Sequence, residues 1–396
     1  MNHRACPTTT AVRAGIDRDP AFGAVTPPLH LSSTFSFDGF LGKRRYDYTR
    51  SGNPTRDLLA AALADLEGGA GAVVTASGMA AITSVLALLQ PDDLLVVPHD
   101  GYGGSWRLFT ALARRRHFQL TVVDYRDPVA LGAALARRPR LVWVETPSNP
   151  LLRLTDVHFL AGAAHRAGAL VCVDNTFLSP ILQQPIALGA DLVVHSTTKY
   201  INGHSDVVGG AVIARDEALL AELAWWANAL GVTGCPFDSL LTLRGLRTLP
   251  LRMRQHVENA QRIAEYLHGH DTVAAVHYPG LAAHPQHALA RRQQFGPGAV
   301  VSFELHGGET AVRAFLAGLR CFTLAESLGG VESLVAHPAS MTHAAMPAGA
   351  RAAAGIRDGL LRLSVGIEDV RDLLADIGAA LARAGARTAT AEGVSP

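Results

Sequence analysis

Several features are scarce in this sequence, and each absence excludes something. Its cysteines, Cys6, Cys172, Cys235 and Cys321, are scattered without paired spacing. That excludes a disulfide framework and fits a reducing compartment. Cys172 sits in an apolar run and reads as core. No apolar stretch reaches the ~20 residues needed to span a bilayer. The opening residues, Met1 to Thr8, contain no apolar signal core, so a soluble, cytoplasmic protein is expected. Charge excess is absent too: 35 lysines and arginines face 34 aspartates and glutamates, for a net charge of +1. A chain so balanced lacks the broad positive field that nucleic acids or membrane surfaces require. The dense basic cluster Arg114-Arg115-Arg116-His117 falls at the end of a predicted helix, where it caps carbonyls or faces solvent. The glycine-rich nucleotide motifs are missing. His284 and His287 flank Pro285 with no third ligand nearby, so no metal is expected.

What the chain does have is length and apolar content. With 396 residues, 48% hydrophobic and 17% charged, it exceeds one small core. Residues 1–55 mix proline, glycine and polar residues and read as an extended arm that packs on another subunit. From 56 to 250, short β-rich runs alternate with helical patterns. The strand candidates are Ala72–Thr75, Leu94–Pro98, Leu120–Asp124, Leu141–Glu145, Leu170–Asp174, Leu192–Ser196 and Gly210–Ala214. Such alternation predicts an α/β domain with a mostly parallel, seven-stranded sheet covered on both faces. A long helix over Arg252–Leu267 opens a smaller C-terminal α+β domain, 251–396, whose strands are predicted at Ala299–Glu304 and Leu360–Gly366. The tail from Arg387 is small and polar and is expected to fray.

Ligands of parallel sheets bind beyond the carboxyl ends of strands. Glu145, Asp174 and Lys199 all fall at or just after such ends. A lysine after a strand, flanked by Ser196, Thr197 and Thr198 and preceded by a strand-end aspartate, fits a pyridoxal phosphate (PLP) site. There the lysine forms a Schiff base, Asp174 faces the ring nitrogen and the hydroxyls hold phosphate. Ser77-Gly78-Met79 opens a helix directly after a strand, a turn suited to an anion. Tyr102, in Tyr102-Gly103-Gly104-Ser105-Trp106-Arg107, is placed to stack on a flat ring, and Arg107 to fork onto an anion. Asn53 and Pro54 read as a helix cap and first turn, which leaves Tyr48 and Arg50 unexplained. Arg362 interrupts an apolar strand, as an edge residue or as the partner of a buried anion such as a substrate carboxylate.

Taken in order, Tyr48-Thr49-Arg50 with Gly52-Asn53-Pro54-Thr55, Ser77-Gly78-Met79, Tyr102-Gly103-Gly104, Pro147-Ser148-Asn149-Pro150, Asp174-Asn175-Thr176, Ser196-Thr197-Thr198-Lys199-Tyr200 and Arg362-Leu363-Ser364 resemble the Cys/Met-metabolism PLP-dependent enzymes. These have the aspartate-aminotransferase fold (fold type I). Within that family, Tyr46-Asp47-Tyr48, Trp225-Trp226-Ala227-Asn228 and Leu324 to Ser333 are most similar to the bacterial cystathionine γ-synthase branch.

The resemblance implies a role for each matching residue. Lys199 carries the cofactor and shuttles protons, and Asp174 keeps the ring nitrogen protonated. Tyr102 stacks on the ring and joins Lys199 as a catalytic residue. Gly78, Met79, Ser196 and Thr198 hold the phosphate, with Tyr48 and Arg50 reaching the phosphate of a neighbouring subunit in a homotetramer built as a dimer of dimers. Arg362 and Asn149 take the substrate α-carboxylate, while Asp47, Arg107, Glu326 and Ser327 contact the remainder of the substrate. The implied reaction is γ-replacement, joining L-cysteine to an O-acyl-homoserine, most simply the O-succinyl ester, in methionine biosynthesis. Alternatives on the same machinery are γ-elimination by a cystathionine γ-lyase and sulfhydrylation of the acyl-homoserine; a non-catalytic PLP-binding regulator is the alternative outside enzymes. Ser51 stands where related synthases carry a second arginine. Glu326 replaces the tyrosine of β-lyases and Gly104 the reactive cysteine of methionine γ-lyase, which argues against both activities.

Overall fold

The computed structural model describes residues 6–344, 346 and 348–392. It divides into two compact units. The first holds the chain up to Val97, Ala111–Val144 and Val157–Pro250; the second holds Pro98–Thr110, Glu145–Asp156 and the chain from Leu251 onward.

The first unit is built on a seven-stranded sheet. Its strands are β1 Gly71–Thr75, β2 Leu94–Pro98, β3 Gln119–Val123, β4 Leu141–Glu145, β5 Leu170–Asp174, β6 Leu192–His195 and β7 Gly210–Ala214. They lie in the order β1-β7-β6-β5-β4-β2-β3. The β2/β4 and β5/β6 pairs are parallel, while β7 runs antiparallel to both its neighbours. Every residue of β2, β4, β6 and β7 is buried, as continuous apolar strands between helical layers must be. The edge strand β3 is largely exposed or half-buried and ends the sheet with polar Gln119 and Thr121.

Helix boundaries follow local chemistry. Asn53 caps Pro54–Glu67 by accepting from the Thr55 and Arg56 N–H groups, and Gly68 closes it at φ 81°. The first 55 residues are not wholly extended: Pro7–Val12 is helical, started by Pro7 at the first turn. Beyond it, the bridge Thr34–Tyr48 is the regular pairing in that segment among the described residues.

The second unit carries a five-stranded sheet of β8 Val273–His277, β9 Val300–Leu305, β10 Thr323–Leu324, β11 Leu334–Ala336 and β12 Leu360–Ser364, ordered β10-β11-β12-β9-β8. Periodicity finds β9 and β12; β10 and β11 are too short to register, and β8 is only half-buried. The helix Leu249–His268 leads into this unit, and Val370–Glu392 is its last helix. The expected fraying from Arg387 therefore gives way to helix as far as Glu392, because alanine and arginine sustain it; residues 393–396 lie outside the described residues. No helix among the described residues is long and apolar enough to cross a membrane.

Candidate active site

Four segments of the first unit build one cradle. Lys199 lies in the connection between β6 and β7, where its N–H donates to the Ser196 carbonyl at 3.2 Å and its carbonyl accepts from Gly203 at 2.8 Å. Thr198 braces the far side: its hydroxyl donates to the Gly209 carbonyl at 3.1 Å and accepts the Gly209 N–H at 3.0 Å. The Ser196 N–H donates to the Thr176 hydroxyl at 2.9 Å. That contact ties the tip of β6 to the tip of β5, where Thr176 N–H donates to the Asp174 carboxylate at 3.0 Å.

The helix Gly78–Leu86 starts against this loop. Ser77 caps it, accepting the Ala80 N–H at 3.0 Å. A Cβ at Gly78 would stand 2.8 Å from Ser196 Cβ, so only glycine lets the helix start come this close. The first N–H groups of a helix have no intrahelical acceptor and point at an anion placed there.

This donor set fits PLP. Helix-start N–H groups and the Ser196 hydroxyl suit its phosphate, Lys199 its aldehyde and Asp174 its ring nitrogen. Asp174 is drawn two ways: burial raises its pKa, while bonds from Thr176 and the charge of His195 lower it.

Other first-unit residues sit apart from the cradle's bonds. Arg50 donates from Nε to Asn228 Oδ1 at 3.0 Å, and its guanidinium lies 5.3 Å from the Tyr48 ring centroid. Asn228 belongs to the helix Glu217–Leu230, which also stacks Trp225 edge-on to Trp226. Asp47 is engaged locally: Lys43 and the Ser51 hydroxyl, both at 2.8 Å, pull its carboxyl down to about 2.

A second group forms within the second unit, from segments far apart in sequence. Arg362 lies on β12, paired with Ala336 of β11 and Ser302 of β9, and is 2% exposed. Its guanidinium donates to Asn149 Oδ1 at 2.9 Å and to the Ser327 carbonyl at 2.8 Å. Ser327 presents that carbonyl from a left-handed backbone, φ 88°, a strained geometry for a serine. Asn149, between the cis bonds Thr146–Pro147 and Asn149–Pro150, is held at its carbonyl by His343 Nε2 at 3.1 Å.

Tyr102 belongs to the same group. Its N–H donates to Glu145 Oε2 at 2.6 Å, and Glu145 is buried. Burial and then the Glu326 carboxylate raise the phenol's pKa, while Arg107 and Arg362 oppose them. The structure therefore brings Tyr102, Arg107, Asn149, Glu326, Ser327 and Arg362 together. Tyr102, Arg107 and Glu326 are the solvent-exposed members.

Sequence reasoning gave Thr176 no role of its own, although it closes the run Asp174-Asn175-Thr176, while His343 is the structural hydrogen-bonder its sequence suggested. The signal available for Thr176 was its place two residues beyond a strand-end aspartate, where hydroxyls bond back to carboxylates. Among the described residues no group of His, Cys, Asp and Glu has the arrangement of a metal site.

Known proteins are similar to this chain over nearly their whole length. A family model for Cys/Met metabolism PLP-dependent enzymes matches residues 8–382. Cystathionine γ-synthase of Escherichia coli strain K12 is 58% identical over 370 residues, 93% of this chain and 96% of that protein. A crystal structure of cystathionine γ-synthase from Xanthomonas oryzae pv. oryzae, in complex with aminoacrylate and cysteine, is 69% identical with a TM-score of 0.96, covering 96% of this chain and 99% of that one. Cystathionine γ-lyase from Lactobacillus plantarum, complexed with L-serine, is 41% identical with a TM-score of 0.93, covering 96% and 100%. With a matching model across nearly the whole chain and relatives this similar, the chain belongs to the Cys/Met metabolism PLP-dependent enzymes.

Proposed function

We propose that this protein joins L-cysteine to an O-acylated homoserine by γ-replacement, giving cystathionine and releasing the acyl group as a carboxylate. The observation that carries this reading is the Arg362 fork. A planar guanidinium, oriented by Asn149 and Ser327 on a core strand, matches the α-carboxylate of an amino acid. The similarity to cystathionine γ-synthases supports the finer choice, and one such structure is a complex with cystathionine.

Bound PLP supplies the sink for the electrons of the broken Cα–H bond. Lys199 would hold the cofactor and, as a neutral amine, would take the α proton. Asp174 keeps a negative charge toward the ring nitrogen. Gly78 and Met79 N–H groups and the Ser196 and Thr198 hydroxyls hold phosphate. Tyr102 stacks on the ring, and its raised pKa keeps the hydroxyl protonated near neutral pH. Across the reaction the Cγ–O bond to the acyloxy group would break and a Cγ–S bond to cysteine would form, the thiol proton leaving alongside the released carboxylate. Arg107 and Glu326 meet the distal parts of the substrates, with Ser327 beside Glu326 in sequence, and Asp47 is a further substrate contact in this reading.

The same reading makes the assembly a homotetramer of the cytoplasm, with Tyr48 and Arg50 serving a neighbouring subunit's phosphate. Phe22, Phe40 and Leu41 support an assembly, since each is more than 80% exposed in the single chain. Sedimentation would settle the subunit number. Incubating purified protein with O-succinyl-L-homoserine and L-cysteine is expected to yield cystathionine. If instead only 2-oxobutanoate appears, the replacement reading is wrong and elimination stands.

A further inference from the structure

Asn149 and Ser327 orient Arg362, and each of them is itself tied to the strand face that carries the arginine. On β9, Ser302 stands directly opposite Arg362 in the antiparallel ladder, so the two side chains share one face of the sheet. Its hydroxyl donates to the Pro150 carbonyl at 2.6 Å, one residue beyond Asn149. On β12 itself, Ser364 lies two residues past Arg362 and so on that same face. Its hydroxyl accepts the Gly329 N–H at 2.8 Å, two residues beyond Ser327. Ser302 is 0% exposed and Ser364 1% exposed. Neither serine has a role in the function proposed above.

A hydroxyl inside a sheet is costly to bury unless it is bonded. These two direct their bonds to loop backbone rather than to their own strands. Residues 325–333 leave β10 and return to β11, and both Ser327 and Gly329 in that loop are left-handed, at φ 88° and 80°. Serine does not favour that conformation, so the turn needs ties from outside. One is Arg362 at the Ser327 carbonyl; the other is Ser364 at the Gly329 N–H. The far end of the loop is fixed separately, where Glu368 accepts the Ser333 N–H at 2.7 Å and the Ser333 hydroxyl at 2.8 Å. In the other loop, Arg362 holds the Asn149 side chain and Ser302 holds the next carbonyl. The guanidinium thus bonds two loop segments, each fastened to the sheet by a serine neighbouring the arginine.

We propose that Ser302 and Ser364 are positioning residues for substrate binding: they hold the two loops in register with Arg362, so that its guanidinium meets the α-carboxylate in one fixed orientation. This rests on the assignment of Arg362 to that carboxylate. Glu326 adjoins Ser327, so the Ser364 tie also sets where this distal contact stands. Both serines belong to the second unit, whereas Asp174, Ser196 and Lys199 belong to the first. Their loss is therefore expected in substrate binding and not in cofactor affinity.

Ser302→Ala and Ser364→Ala each remove one tie. The test is steady-state kinetics of the holoenzyme with O-succinyl-L-homoserine and L-cysteine, in wild type and in an Arg362→Ala background. With Arg362 present, each is expected to raise the KM for O-succinyl-L-homoserine about tenfold, the equivalent of one hydrogen bond. The kcat and the cofactor dissociation constant should stay within about twofold of wild type. In the Arg362→Ala background neither substitution is expected to lower kcat/KM further. An unchanged KM, a loss confined to kcat, or the same loss with and without Arg362 overturns the proposal while the carboxylate assignment stands. An Arg362→Ala enzyme with wild-type kcat/KM overturns that assignment and the proposal with it. Should the serine variants not fold, hydrogen exchange in wild-type holoenzyme decides. If holding Gly329 favours binding, binding must hold Gly329: saturating cystathionine is expected to slow exchange of the Gly329 amide, and no slowing overturns the proposal.

Discussion

The cradle of the first unit and the clamp of the second are built in different ways. Around Lys199, the bonds that shape the loop are short-range or link adjacent strand tips: Lys199 to Ser196, Thr198 to Gly209, Ser196 to Thr176. Around Arg362, they span the chain: Arg362 to Asn149 across 213 residues, His343 to Asn149 across 194, Tyr102 to Glu145 across 43. A cradle set largely by backbone can hold an unchanging cofactor. A clamp set by distant side chains can be retuned one contact at a time, which suits the part that must tell substrates apart.

The sharpest test of this contrast is Lys199→Ala. It removes the base, and turnover should fall by about 10³-fold or more. Strong residual activity in a steady-state assay would dissolve the distinction at its centre. Arg362→Ala comes next. It leaves Asn149 and Ser327 facing a void and should cost about 10²–10³-fold in kcat/KM. Cofactor affinity, measured by fluorescence titration, should stay within a factor of two or so of wild type if clamp and cradle are separable.

Acid separates the two regions by stability. His256 and His343, both in the second unit and buried, have pKa values lowered to about 4 chiefly by burial. In the unfolded chain each returns toward its ordinary 6.5. The unfolded state then binds protons first, so stability falls as pH drops from about 6.5 and levels off below about 4, by up to roughly 3 kcal/mol per histidine. Denaturant titrations across that window should show the decline, and a flat profile would break the comparison. The smallest effect is expected from Thr198→Val. It deletes the two hydroxyl bonds to Gly209 and leaves the backbone one; the lost pair is worth about 1 kcal/mol each, and the change should weaken cofactor binding while leaving the KM for substrate unchanged.

The same contrast explains what was legible in the sequence. All seven strands of the first sheet appear within a residue or so of their predicted places, because most of them are short, continuous apolar runs, whether parallel or antiparallel, and the edge strand β3 keeps a β-branched run of Thr121-Val122-Val123. Asp174, Ser196 and Lys199 stand out because strand ends mark where ligands bind. Arg362 is conspicuous as a charge in an apolar strand, yet its partners cannot be read locally. Asn149 is held by His343, and nothing in the local sequence links positions so far apart. The helix Pro7–Val12 was hidden by composition: a proline and three threonines look like coil until Pro7 is placed at a first turn. Two short segments, Pro98–Thr110 and Glu145–Asp156, join the second unit although they interrupt the first in sequence. A cut made on composition alone has no means of finding them.

The placement of β7 has a consequence for how the protein comes to be made. This strand, the last of its sheet in sequence, is not an edge: it lies between β1 and β6 and runs against both. The lysine loop is anchored at one end by β6 and at the other by β7. Without that strand in place, Thr198 has no Gly209 to brace it, and β1, which leads into the Gly78 helix, has no pairing to the rest of the sheet. The seat for the cofactor is thus finished by the same event that closes the sheet, so a chain able to capture pyridoxal phosphate is one whose larger unit has completed its assembly.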